Sequence, residues 1–437
     1  MTSAQDINKD SLQEMFKNLG SEYQNLLISI SWLAPAEKLP LDLLKNLAGA
    51  DEIDEITQKL GFLVNMGFLK RIEEGFTIES KVAKSLLEFV DHKYAADLLR
   101  KTSKEMHQLT HALEEPGKFQ PYAKHIEKLA QQGQIQKIAT AGLLFGLLGR
   151  YKLQTGKNDE AIKFIRRALL IVEKVTGVES VEHTENLNNL GTAMHRMKRF
   201  EDAKKCFEQA IIIDKKILGD DDPAVAIGDN NLGQVLIDLN SMEGAIIHLE
   251  KALELNEKNF GKEAPIVASG NYNLGMALIM IGDLPRARAQ LELSLAKRKK
   301  NYGDVHLEVA DSHHALGMLF QTMGNVAKAT EHYQEAVRIF ETLNMDDHLK
   351  LAASYTNLGG ILHINGEMDK ARWYYEKALS TFEANLPADD NHVKDLKLQL
   401  KLTELGMTMP ELLEKMESGE ALSAELMTIL DQRFGEG

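Results

Sequence analysis

The sequence predicts a mainly α fold, an α-solenoid of six helical hairpins preceded by a small domain of helices and one β-hairpin. Two periodic observations carry the prediction. The pair Leu-Gly recurs at Leu148-Gly149, Leu190-Gly191, Leu232-Gly233, Leu274-Gly275, Leu316-Gly317 and Leu358-Gly359, always 42 residues apart. Twelve residues after each glycine stands an alanine (Ala161, Ala203, Ala245, Ala287, Ala329, Ala371), and seven further on another small residue (Ala168, Ala210, Ala252, Ser294, Ala336, Ala378).

Apolar residues around each pair follow helical spacing, and Gly156, Gly282, Gly324 or Gly366 falls about two turns later. Each period therefore reads as helix A, turn, helix B. The small residues mark where two helix axes must approach closely, and Phe207, Leu249, Leu291, Tyr333 and Tyr375 fill the remaining space. One hairpin cannot cover its own apolar face, so stability has to come from stacked neighbours.

Leu-Gly on helix A with the two alanines on helix B resembles the tetratricopeptide repeat family. The long period, with residues 218–226 (LGDDDPAVA) and 302–310 (YGDVHLEVA), is similar to the repeats of kinesin light chains. The resemblance covers residues 141–391 and implies a right-handed solenoid whose A helices line a concave, partner-binding surface. Met345 departs from it where Gly177, Gly219, Gly261 and Gly303 stand in earlier repeats, and Lys152 interrupts the first apolar row. Residues 392–437 read as capping helices, two of them short and split by Ser418-Gly419.

Residues 1–20 read as a polar, frayed tail. In residues 21–92, an apolar helix from Tyr23, helices over 41–47 and 53–66, and strands over 68–72 and 76–78 joined across Glu73-Glu74-Gly75 suggest a winged helix. Its would-be recognition helix begins Asp51-Glu-Ile-Asp-Glu55, which repels phosphates and argues against DNA. Residues 33–41, 63–69 and 76–82 resemble the winged-helix segment of NB-ARC signalling ATPases, with Glu79 where that family carries a nucleotide-sensing histidine. Residues 122–130, in a helical connector over 93–140, resemble the segment that joins such a domain to repeats. No G-x-x-x-x-G-K-[ST] occurs, so the nucleotide-binding part of that family is missing.

The net charge of −14 disfavours nucleic acid and anionic membranes, and no segment is apolar enough to span a bilayer. Lys297 to Lys300 read as a solvated helix end. The single Cys206 and the absence of a secretory signal suit a cytoplasmic protein. Adjacent His313 and His314 project about 100° apart on a helix, so they read as one packed and one surface residue, with no metal. No catalytic residue, cofactor or metal site is expected.

The helical angle places positions six, three and two before each glycine, and one and five after it, on one face. Within it, Asn188, Asn189, Asn230, Asn231, Asn273 and Asn357 form an amide row, which either holds an extended peptide backbone or bonds neighbouring helices in register. Tyr272, Met276, Met280 and Met318 form an apolar cluster, either a pocket or core. Arg196, Gln234 and His314 complete the candidate groove, and Arg150 is the other cation of the face. The lysines with which chaperone-tail receptors clamp a carboxylate are absent from it. The expected function is a non-enzymatic adaptor or sensor holding a protein or peptide in the groove, with a second protein partner at the N-terminal domain. The detached sensor half of a signalling ATPase and, third, a transcription regulator are the alternatives.

Overall fold

A small residue every 42 positions forces two helices together, and the chain, a computed structural model describing residues 9–73, 75–111, 113 and 115–434, folds accordingly. The N-terminal part comprises α1 (Lys9–Lys17), α2 (Ser21–Ser31), α3 (Leu41–Ala48), α4 (Ile53–Asn65), the strands β1 (Lys70–Ile72) and β2 (Gly75–Thr77), and α5 (Ser80–Glu88). The strands pair antiparallel with Arg71 opposite Phe76, and Glu74 of the expected turn lies outside the described residues. α6 (His92–His111), α7 (Pro116–Phe119) and α8 (Ala123–Ile135) lead to the repeats.

The A helices are α9 (Thr140–Gln154), α11 (Val181–Arg196), α13 (Pro223–Asp238), α15 (Pro265–Ile281), α17 (Leu307–Thr322) and α19 (Leu349–Ile364). The B helices are α10 (Asn158–Val175), α12 (Phe200–Leu218), α14 (Met242–Phe260), α16 (Leu284–Tyr302), α18 (Val326–Thr342) and α20 (Met368–Asn385). After them come α21 (Asn391–Glu404), α22 (Met409–Glu417) and α23 (Ala424–Phe434). The contacts divide the chain into two units, Met1–Leu239 and Asn240–Gly437, so the division falls between the two helices of the third repeat.

In the first unit one hydrophobic cluster runs from Leu12 and Phe16 through Leu27, Leu60, Phe76 and Ile126 to Phe145, Leu148 and Ala168. The N-terminal domain, the connector and the first repeat thus share a core, each buried Leu or Phe contributing about 1.5–3 kcal/mol. Residues 9–17 are therefore no frayed tail. Leu12 and Phe16 lie one helical turn apart, and burying both folds the segment. Residues 33–41 and 122–130, singled out separately in the sequence, meet: the backbone N–H of Ala34 donates to His125 Nδ1 (3.1 Å), and His125 Nε2 donates to the Lys38 carbonyl (2.8 Å). This arrangement needs a neutral ring, and burial lowers the His125 pKa.

The seam positions are filled as the spacing predicts. A Cβ on Gly191 would stand 2.7 Å from the Phe207 ring, on Gly275 2.7 Å from Leu291, and on Gly317 2.6 Å from Tyr333. Between repeats, Gly219, Gly261 and Gly303 end their helices at φ 98°, 83° and 83° with ψ 164°, 154° and 178°, a region essentially closed to other residues. Met345 cannot adopt it, and there Asn344, one residue earlier, takes the left-handed conformation instead (φ 53°). Asp222 caps α13 by accepting from the Ala224 N–H at 2.9 Å.

Two polar readings are corrected. Lys297 and Arg298 are not solvated but buried, 7% and 5% exposed. Arg298 occupies the interior position that Val172, Asp214, Asn256, Phe340 and Phe382 hold in other repeats, and all of these are buried or nearly so. His313 and His314 are both buried, one against His332 (Nδ1 to Nδ1, 3.0 Å) and the other against Ser354 Oγ (2.8 Å). Burial pushes each of these two histidines down to about 4.

Asp214 is fully buried, and neither carboxylate oxygen has a hydrogen-bond partner. The neighbouring Thr184 hydroxyl donates to the Val181 carbonyl at 3.0 Å. Burial raises the Asp214 pKa, so the folded chain keeps this proton to higher pH than the unfolded chain and loses stability as pH rises above the ordinary carboxylate range. Asp214→Asn should therefore stabilise the protein by about 1 kcal/mol at neutral pH and leave it nearly unchanged in acid. Thermal melts of both proteins in acidic and neutral buffer check the sign.

Candidate functional site

Within each unit the A helices of successive repeats touch, α9 with α11 and α11 with α13 in the first, α15 with α17 and α17 with α19 in the second. In the first unit Asn188, Asn189, Asn230, Asn231 and Gln234 are half-buried and Arg196 is exposed. In the second unit Tyr272, Asn273, Met276, Met318 and Asn357 are half-buried and Met280 is exposed.

The amides matter most. Among the described residues no hydrogen bond engages the side chains of Asn189, Asn231 or Asn357, and the buried Asn188 Oδ1 is also without a partner. Amides that served only to lock neighbouring helices would be satisfied inside the stack. Asn230 and Asn273 do interact within the protein.

The cations are otherwise employed. Arg196 Nη1 donates to the Leu153 carbonyl at the end of α9 (2.5 Å), and Arg150 Nη2 to the His111 carbonyl at the end of α6 (2.6 Å). Each guanidinium thereby covers a carbonyl at the negative end of a helix. In the first repeat, α6 packs on α9, and Leu147 of the expected face is part of the buried core. The open face of this unit begins with α11.

In the second unit the face is a polar network around Tyr272. The Arg298 guanidinium lies 4.6 Å from the centre of the Tyr272 ring, with Lys350 Nζ at 5.5 Å. Arg298 donates to the Glu308 carbonyl and to Ser312 Oγ, both at 2.9 Å, and its Nε stands 3.0 Å from Glu308 Oε2. Lys350 pairs with Asp311, whose other oxygen, Oδ1, is buried without a partner. His314, expected in the groove, is instead part of the wall beneath it, because Ser354 and the Tyr333 ring (5.6 Å) enclose it. The helical angle selects Asp311, six residues before Gly317, whereas the sequence reading missed Arg298 and Lys350. The alignment of repeats held a signal for Arg298, a charge standing where Val172 and Phe340 stand.

Burial pushes the Cys206 thiol up to about 11, so it stays protonated. Among the described residues no three metal-ligating side chains cluster, and no helix is long and apolar enough to cross a membrane.

No curated protein sequence matches the chain. Among solved structures, it is similar to a signal transduction ATPase with numerous domains (STAND) that carries a tetratricopeptide repeat sensor, from Pyrococcus horikoshii. That likeness has a TM-score of 0.56 at 15% identity and covers 95% of this chain but 65% of the ATPase. BtubC from P. vanneervenii is similar at 23% identity over 53% of this chain and 92% of its own, with a TM-score of 0.44. YrrB, described as a TPR protein with an unusual peptide-binding site, is 19% identical over 50% of this chain and 93% of its own, with a TM-score of 0.33. The tetratricopeptide repeat profile matches residues 140–216, 182–258, 224–300, 266–342 and 308–384. These overlapping matches take in more than half of the sequence, and the chain belongs to the tetratricopeptide repeat family.

Proposed function

We propose that this protein is a non-enzymatic, cytoplasmic adaptor or sensor whose A-helix face holds an extended segment of a partner protein. The supporting observation is that each unit carries half-buried amides on its A helices with no hydrogen bond within the described protein, Asn189 and Asn231 in the first and Asn357 in the second. Each amide offers one acceptor and two donors, the complement of a peptide backbone whatever its sequence. Tyr272, Met276, Met280 and Met318 supply a deformable apolar surface for its side chains. The N-terminal domain, which shares its core with the first repeat, offers a second docking surface.

A second reading, a sensor half that works with a separate nucleotide-binding domain, draws support from the fold likeness to the STAND ATPase across 95% of the chain. One experiment addresses both. Affinity capture from the source cell should lose its partner when Asn189, Asn231 and Asn357 are changed together to alanine, while far-UV circular dichroism stays helical. Unchanged capture would sink the amide reading, and a captured protein carrying a P-loop domain would favour the second one.

A further inference from the structure

Where α6, α9 and α11 meet, the first unit holds a half-open cavity of about 40 Å³. Its polar lining consists mainly of acceptors. The carboxylates of Glu182 and Glu185 line it, and neither has an ion-pair partner among the described residues. Asn186 is 5% exposed and gives its Nδ2 to the Glu182 carbonyl at 2.7 Å, which fixes the amide's orientation. Its Oδ1 is left buried without a donor. That oxygen packs against Gly146, where a Cβ would stand only 2.9 Å away, so the glycine makes room for the amide at the cavity wall.

The positive groups nearby do not satisfy these acceptors. Arg150 is committed to the His111 carbonyl, and burial lowers the His107 pKa, which leaves that ring neutral at neutral pH. Desolvation raises the Glu185 pKa, with Arg150 and His111 pulling it partly back down. Two carboxylates and one guanidinium line the cavity, with the His107 and His111 imidazoles beside them. The carboxylates disfavour an anion, and the volume suits a group the size of one or two waters. Leu143 and Leu147 provide an apolar wall beside the acceptors.

We propose that this cavity binds a primary ammonium group carried on an alkyl chain, the chemistry shared by a lysine side chain and a free diamine. The ammonium donates to Asn186 Oδ1 and to the Glu182 and Glu185 carboxylates, while its methylenes lie along Leu143 and Leu147. The inference stands on this cavity and not on the amide row, so either can fail alone.

Methyl-labelled full-length protein, with the Leu143 and Leu147 resonances assigned, tests it by NMR titration. The probes are cadaverine, an acetylated and amidated Ala-Lys-Ala peptide, and the same peptide with norleucine in place of lysine. The lysine peptide or cadaverine should shift both leucines saturably, with affinity reduced at least about tenfold in Glu182→Gln/Glu185→Gln. A response to the peptide alone assigns the site to a protein lysine, and a response to cadaverine alone to a free diamine. Equal shifts with norleucine, unchanged binding by the glutamine variant, or no saturable shift with any probe would overturn the proposal. Far-UV circular dichroism and the unperturbed methyl spectrum of the variant verify that it folds.

Discussion

Gly359→Ala should destabilise the protein by about 2–3 kcal/mol, whereas Gly360→Ala, its neighbour in the same helix, should be neutral or stabilising by up to about 1 kcal/mol. A Cβ on Gly359 would stand 2.7 Å from Tyr375 Cε1 and 3.3 Å from the Ala371 carbonyl oxygen. Tyr375 is 2% exposed and has nowhere to retreat, so α19 and α20 must move apart. At Gly360 the same methyl group would meet only the Tyr375 hydroxyl, at 3.8 Å. Both substitutions gain equal helix propensity, so their difference isolates the clash. Urea denaturation, with hydrogen exchange in α19 and α20 to localise the effect, measures it. Equal tolerance of the two would mean that the seam is not close-packed.

The second large effect belongs to Arg298. Its side chain is 6% exposed, while that of its partner Glu308 is 34% exposed. Removing one member of a buried pair strands the other. Arg298→Met should therefore cost about 3 kcal/mol, the lower end of the usual range because Glu308 retains some water. It also removes the cation from the face of Tyr272. Arg298→Lys should recover little, since a single ammonium cannot reproduce a planar fork that reaches the Glu308 carbonyl and Ser312 Oγ while lying over a ring. Thermal denaturation of the three proteins distinguishes these outcomes, and a neutral Arg298→Met would refute the structural role.

Why Arg298 escaped the sequence reading bears on what was legible. Periodicity reports which positions face inward, and it located Gly191, Phe207, Ala210 and their equivalents because one packing problem recurs in every repeat. It cannot report how a single repeat solves that problem with a polar residue. Arg298 looked solvated beside Lys299 and Lys300, although its position holds Phe340 one period later. His314 failed the opposite way: the helical angle placed it on the face, and Ser354 and Tyr333 covered it. Residues 9–17 were misjudged because Leu12 and Phe16 are sparse within a polar stretch, and only the shared core shows what they cover. The candidate face was legible in its asparagines and methionines. The Asp311–Lys350 pair was not, since nothing in a single repeat indicates a bond to the next.

The glycines that close Phe200–Leu218, Met242–Phe260 and Leu284–Tyr302 carry a consequence for how such a chain diversifies. Their backbone angles are closed to side chains, so drift at these points is punished at once; where Met345 and Pro387 replace the glycine the helix ends differently, at Met345 through a left-handed Asn344. The half-buried positions of the A helices bear no such constraint: one site holds Asn188, Asn230, Tyr272 and Thr356 in four of the repeats. If the proposed function holds, geometry and recognition rest on separate residues, and a lineage could exchange its partner without rebuilding its frame.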